Sequence, residues 1–237
     1  MLTLSFVTGT EPGKWFDRFR DRTRHGRLEA FESEDSLAAL IDGRAQLALV
    51  RLPSQQLDAE KFHVVELYQE DKGVALPKDS ELTLIEGEVK LADLAGQIMN
   101  YRIPDHGEVD VAAVREALQI VAANVGVVIA PKPLLKVLSR KLVVPRQLKD
   151  ESVPATRIAL VWHQDADSDA IQDFVGIAKG RTVNSSRQVA PKRSAREKTL
   201  TKQARRTAEK PAKKSSDGRG GNRGGKGFGG SRRKRGR

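Results

Sequence analysis

Residues 2–13 read LTLSFVTGTEPG, and the architecture of the chain can be built outward from them. Leu2, Leu4 and Phe6 alternate with Thr3, Ser5 and Val7, the period of a strand buried on at least one face. Thr8-Gly9-Thr10 breaks the alternation, and Trp15, Phe16 and Phe19 then recur at helical spacing. Thr10 is the expected N-cap. Glu11 and Pro12 would occupy the first turn, where an acid suits the dipole and a missing N–H costs little. Backbone N–H groups and a threonine hydroxyl would then face any small polar or anionic ligand. The same residues also make an ordinary tight strand–helix connection.

The pattern repeats downstream. The first helix is expected over Glu11–Arg24, closed by Gly26, and a second strand over Arg27–Phe31. Ser33 would cap a short helix in which Leu37, Leu40 and Ile41 share a face, and Gly43 would stop it. Gln46–Leu52 (QLALVRL) is a continuous apolar run bounded by Gly43 and Pro53, the signature of a strand covered on both faces. Strands alternating with helices over short links predict an α/β domain with a parallel sheet. Arg51 then falls at the carboxyl end of a strand, where such sheets bind ligands and where a guanidinium fork suits a carboxylate. A surface arginine is the other reading.

Phe62–Tyr68 is expected as a strand with Val64 and Val65 inside, followed by Gly73–Leu76 ending at Pro77. So short a link predicts a crossover into a second lobe. Residues 79–88 form a polar loop with one helical turn, Leu91–Gly96 a short helix, Gln97–Tyr101 a strand and Pro104–Glu108 a loop. Asp110–Asn124 is the most regular helix, with Val111, Val114, Leu118 and Val121 as its stripe. Val125–Ala130 reads as a buried strand. A helix bearing Leu134, Leu135 and Leu138 follows, then strands at Leu142–Pro145 and Thr156–Val161 and a closing helix at Ala170–Ile177.

Charge divides the chain. Residues 181–237 hold 20 Lys and Arg against 3 Asp and Glu, a net of +17, whereas residues 1–180 carry −6. Apolar residues nearly vanish beyond Arg181, so this segment cannot build a core and reads as a disordered basic tail. Its end, GRGGNRGGKGFGGSRRKRGR, is Gly/Arg-rich and flexible. Arg219, Arg223, Lys226, Arg232, Arg233, Lys234 and Arg235 suit phosphates, and Phe228 offers a stacking face, so sequence-blind contact with DNA or RNA is expected. Gly225-x-Gly227-x-x-Gly230 matches a dinucleotide pattern but follows no strand and opens no helix. Gly227 stands where a P-loop needs Ser or Thr.

Cysteine is absent, which removes disulfides and thiol chemistry and fits a reducing cytoplasm. No apolar run approaches the ~20 residues of a membrane span, and no signal peptide is read at the start. The four histidines are scattered. Asp105, His106, Glu108 and Asp110 read as a polar connection before a helix rather than a metal loop. With no metal, cofactor or acid/base pair indicated, the chain is not expected to be an enzyme.

Residues 1–180 resemble the effector-binding domain of LysR-type transcriptional regulators. The resemblance is carried, in order, by TGTEPGKWFDRFRDR, LEAFESEDSLAALIDGRAQLALVRLP, VKLADLAG, LQIVAANVGVVIAPKPLL and TRIALVWHQDADSDAIQDF. It implies a two-lobed, type-2 periplasmic-binding-protein-like α/β fold that closes on a small effector and usually dimerises. Lobe one would be residues 1–73 and 155–180, lobe two 74–154, with hinge strands near Gly73–Pro77 and Pro154–Thr156. Sequence-specific DNA reading through the family's winged helix-turn-helix is not expected of residues 1–180. Lobe two is expected to be short, since only residues 97–120 separate LADLAG from VAANVG.

The resemblance places Thr8, Gly9 and Thr10 at the first turn, Ser33 at the second helix start, Arg51 at the third strand end, and Tyr101, Asn124 and Val125 on lobe two. Thr8 and Thr10 would hydrogen-bond the effector, Arg51 would pair an acidic group, and Tyr101 would close over it. The expected function is a cytoplasmic effector-binding protein of transcriptional regulation, tethered to nucleic acid by its tail. The alternative is a nucleic-acid- or ribosome-associated factor whose α/β body docks a partner without a ligand.

Overall fold

The computed structural model describes residues 1–180, which carry two five-stranded sheets. The first is built from β1 (Leu2–Val7), β2 (Leu28–Ser33), β3 (Leu47–Leu52), β4 (Phe62–Gln69) and β10 (Arg157–His163), in the order β2-β1-β3-β10-β4. The second contains β5 (Lys72–Pro77), β6 (Val89–Lys90), β7 (Met99–Arg102), β8 (Val127–Pro131) and β9 (Val143–Lys149), in the order β6-β9-β5-β8-β7. The chain passes to the second sheet at residues 70–71 and returns between β9 and β10.

Alternation explains the first sheet. Leu47, Leu49, Ile158, Leu160 and Trp162 point to one face, against Phe19 of α1 (Gly13–Arg22) and Phe174 of α5 (Asp169–Ala178). The Phe19 and Phe174 rings lie 5.7 Å apart. Ala48, Val50, Ala159 and Val161 point to the other, under Leu37 and Leu40 of α2 (Ser36–Ile41). Two covered faces are why QLALVRL is apolar at consecutive positions; each buried leucine contributes about 1.5–3 kcal/mol.

In the second sheet, Ala75, Val128 and Ala130 face the stripe of α3 (Val111–Ala122) and Leu134 and Leu135 of α4 (Lys132–Leu138). Val74, Leu76, Val127 and Ile129 face the opposite way. They meet Leu94, Ile103, Leu148 and Val153, and no α-helix contributes to that cluster. Two 3-10 turns, Glu81–Leu84 and Leu91–Leu94, supply Leu82, Leu91 and Leu94 there.

Several local expectations are corrected. β2 pairs in parallel with β1 through Val7↔Ser33, and Thr8 N–H donates to the Ser33 carbonyl at 3.2 Å. Ser33 is therefore the last strand residue, and Asp35 caps α2 by accepting from Ala38 N–H at 2.8 Å. Thr10 does not cap α1. Its hydroxyl and its amide both donate to the Val7 carbonyl, at 2.8 and 3.2 Å, closing the turn and leaving Pro12 at the cap. The first sheet is not wholly parallel, since β10 runs antiparallel to β3 and β4. β4 is an edge strand, which leaves Val64 exposed. β9 extends to Lys149 because it pairs with β5 and then with β6.

Candidate functional site

The carboxyl ends of β1 and β3 meet segments of the second sheet along a seam. Gly9 sits there with φ +93°, and a Cβ on it would lie 2.9 Å from the Leu134 Cα in α4. Farther along, a Cβ on Gly107 (φ +82°) would lie 2.9 Å from Pro53 Cγ. Both positions need glycine for conformation and for clearance. Polar interactions cross the same seam. Arg115 on α3 binds Glu34 through Nε and Nη2, and Gln55 N–H donates to Glu108 Oε1 at 3.3 Å.

Arg51 is placed by β3, whose apolar run carries it under cover at the strand's end. Its side chain is only 5% exposed and that of Glu70 only 1%. Nε donates to Glu70 Oε2 at 2.7 Å and Nη2 to Glu70 Oε1 at 3.0 Å, a bidentate fork. Nη2 also donates to the Thr8 carbonyl at 2.9 Å, and the Thr156 hydroxyl donates to Glu70 Oε2 at 2.9 Å. Glu70 N–H in turn donates to the Thr156 carbonyl at 2.9 Å. Arg51 and Glu70 thereby knit β1 and β3 to both connections between the sheets. Arg51 Nη1 is buried with no acceptor among the described residues, a loss of about 1–3 kcal/mol for an unmet donor group.

Arg51 also lines a cleft of about 290 Å³. Val7 and Val50 of the first sheet with Leu37 of α2 give it one apolar wall, and Val109 with Val111 and Ala112 of α3 the other. Four carboxylates, Glu34, Asp35, Glu108 and Asp110, also line it, beside uncharged Ser36, Ser54 and Gln56. Asp35 and Asp110 are helix caps; Asp110 accepts from Ala113 N–H at 2.9 Å. Tyr101 on β7 accepts from Asp110 N–H at 3.2 Å. Burial pushes the Tyr101 phenol above its ordinary value, and the Asp110 charge adds to this while the Asp110 amide and the Arg51 charge oppose it.

Among the residues expected at the site, Thr8 and Arg51 are joined by a hydrogen bond, and Gly9 abuts α4 beside them. The Thr10 hydroxyl is spent on its own turn, and the Ser33 hydroxyl on the Asp35 carbonyl at 2.7 Å. Asn124 and Val125 stand apart. They follow the carboxyl end of the 12-residue helix α3, whose opposite end lines the cleft, so about 18 Å of helix intervenes. Asn124 takes the left-handed turn (φ 64°), and the Val125 carbonyl accepts from Asn100 at 2.7 Å. Arg219, Arg223, Lys226, Phe228, Arg232, Arg233, Lys234 and Arg235 lie outside the described residues.

Glu70 and Thr156 carried no signal in the sequence as partners of Arg51. Glu108 and Asp110 read only as a polar connection before a helix, and Glu34 and Asp35 drew no reading of their own. A second cavity of about 420 Å³ lies beyond Gly9, walled by Trp15, Tyr68, Lys132 and Lys136, with Glu11 and Asp71 on its lining. Burial, and then the Glu70 charge, raise the Tyr68 phenol there. Among the described residues no group of three or more His, Cys, Asp or Glu is arranged to hold a metal, and no helix is long and apolar enough to cross a membrane.

Residues 100–182 match the model of the LysR substrate binding domain. The described structure resembles an OxyR mutant of Corynebacterium glutamicum at 18% identity and a TM-score of 0.55, covering 75% of this chain and 63% of that one. It also resembles the BenM effector binding domain with its effector benzoate, at 18% identity and a TM-score of 0.55, covering 76% of this chain and 94% of that domain. HinK, a LysR family transcriptional regulator from Pseudomonas aeruginosa, matches at 15% identity and a TM-score of 0.54, over 75% of this chain and 68% of its own. The chain thus spans less than two thirds of the OxyR mutant. At such identities these likenesses show the fold, which is that of LysR effector-binding domains. No curated protein matches the sequence.

Proposed function

We propose, from a LysR substrate binding domain matched over residues 100–182, that this protein is an effector-binding regulator. Its two sheets act as lobes, residues 1–73 with 155–180 and residues 74–154, that close on a small molecule. The observation that carries the reading is Arg51: a buried guanidinium at a strand's carboxyl end, held by Glu70 and bordering a cleft lined by residues from both halves of the fold. A concave site with apolar walls and a few fixed polar groups suits a small ligand. Effector binding would favour the closed lobes and so bias downstream interactions. The net charge of +17 over residues 181–237 supplies nucleic-acid attraction, and the chain acts in the cytoplasm without catalysing a reaction.

The test is a thermal-shift screen of small metabolites against the full chain and against Ala112→Phe. Ala112 is exposed and lines the cleft, so the larger ring occupies the cavity without disturbing the core. Compounds that raise the wild-type Tm and leave the variant unmoved support the reading. A screen in which no compound discriminates between the two proteins refutes it.

A further inference from the structure

We infer that the cavity between α1 and α4 is a nucleotide site, with the base against Trp15 and Tyr68 and the phosphate on Lys14 and Lys136. It shares no lining residue with the effector cleft and does not depend on that reading. At about 420 Å³ it is the larger space of the two and falls within the usual range of small-ligand pockets. Trp15 enters from α1 and Tyr68 from the end of β4, with ring centroids 6.5 Å apart and planes inclined at 56°. The rings thus form a corner and do not cover one another. Tyr68 remains 42% exposed, which leaves aromatic surface on which a flat ring can stack.

The charges on this lining differ from those of the rest of residues 1–180, which carry a net negative charge. Lys14, Lys132 and Lys136 outnumber Glu11 and Asp71. Lys132 Nζ donates to Gln147 Oε1 at 2.7 Å and so supplies a fixed positive charge. Lys14 and Lys136 come from two different helices, are exposed, and form no ion pair among the described residues. Both ammonium groups are therefore free to take a phosphate. Arg18, exposed one turn beyond Lys14 on the same face of α1, extends the positive charge away from the cavity. The two carboxylates argue against a plain aryl anion, which would meet Glu11 and Asp71 with like charge and offer them no donor. The Watson–Crick edge of a base carries N–H groups that can donate to them. A nucleotide thus has a use for the rings, the ammonium groups and the carboxylates together.

Titrations of the full chain at low salt with AMP, adenosine, phenyl phosphate and inorganic phosphate test this. AMP is expected to quench Trp15 fluorescence and to bind at least fivefold more tightly than each of the other three. The chain's other tryptophan, Trp162, is 3% exposed, so Trp15→Phe should remove most of the signal while calorimetry still detects AMP. Lys14→Gln combined with Lys136→Gln, both at exposed positions, should weaken AMP at least fivefold and leave adenosine within twofold. Replacing Arg232, Arg233, Lys234 and Arg235 with serine should leave AMP within twofold, because the cavity binds it and the basic segment does not. On that serine variant, a single strand of five deoxyadenosines tells the two sources of a nucleotide apart. Binding tighter than AMP assigns the site to a base in a strand and weaker binding to a free nucleotide; either supports the site. No quenching by AMP, equal binding of phenyl phosphate or phosphate, or an affinity that follows the serine substitutions and not the lysine pair overturns the inference.

Discussion

Glu70 Oε2 lies 2.7 Å from Arg51 Nε, and the two side chains are 1% and 5% exposed. The pair joins the end of β3 to the crossing between sheets, and Thr156 ties in the returning chain. Breaking it by Arg51→Met strands a buried carboxylate and should lower the unfolding free energy by about 3–5 kcal/mol. Arg51→Met combined with Glu70→Gln should recover a large part of that loss. Urea unfolding of the two single variants and the double variant closes the cycle; additive losses would show that the pair is not coupled.

Gly9→Ala is expected to destabilise by more than about 1–2 kcal/mol, the ordinary cost of a side chain at positive φ, because the added Cβ also meets the Leu134 Cα at 2.9 Å. Gly26, also at positive φ, has open space around its Cβ position. Gly26→Ala therefore shows the conformational part alone. Comparing the two chemical denaturation midpoints separates strain from collision at the seam.

Tyr68 and Tyr101 are the chain's two tyrosines, and burial raises both phenols. A folded-state pKa above the unfolded one gives stability that is complete below the unfolded value and is lost as pH rises through the folded value. Tyrosinate absorbance should therefore titrate above the ordinary tyrosine range in the native protein and return to it in 8 M urea, where 8 M is roughly the concentration that unfolds most domains. Tyr101→Phe should shallow the alkaline fall in Tm. A native titration coinciding with the urea curve would contradict the upward shift of these half-buried phenols.

Replacing Arg232, Arg233, Lys234 and Arg235 with serine in the full chain tests the proposed attraction to nucleic acid. Each phosphate that these cations no longer neutralise should reduce the slope of log K against log salt by about 0.9 on duplex DNA, so a reduction of up to about 3–4 is expected. The Tm should not change. Filter binding across a salt series reads both the affinity and the slope; an unchanged slope would remove these residues from the interface.

Much of the architecture was legible from residue order alone. Consecutive apolar runs at Leu47–Val50, Val127–Ala130 and Ile158–Trp162 mark strands with two covered faces, because a strand needs polar alternation only where one face meets water. The 3.6-residue stripe of α3 was visible for the same local reason, with Asp110 read near its start and found to be its cap. Pairing moved the local boundaries. Ser33 and Asp35 are equally good caps by chemistry, and the ladder to β1 that holds Ser33 as strand leaves the role to Asp35.

The cleft's chemistry was a different matter. That Arg51 sits at a strand's carboxyl end follows from its run of neighbours. That Glu70 meets it, 19 positions away, and that Thr156 meets Glu70, 86 positions away, arises only when the two sheets dock. Val125 shows the converse: near a buried strand in sequence, it precedes the amino end of β8, whereas Gly9 abuts Leu134 in the helix that follows the other end. Local periodicity determines which residues form each strand and helix, because backbone geometry sets it. Which charges neutralise one another is decided by long-range packing, because a buried ion must find its partner wherever the folded chain puts one.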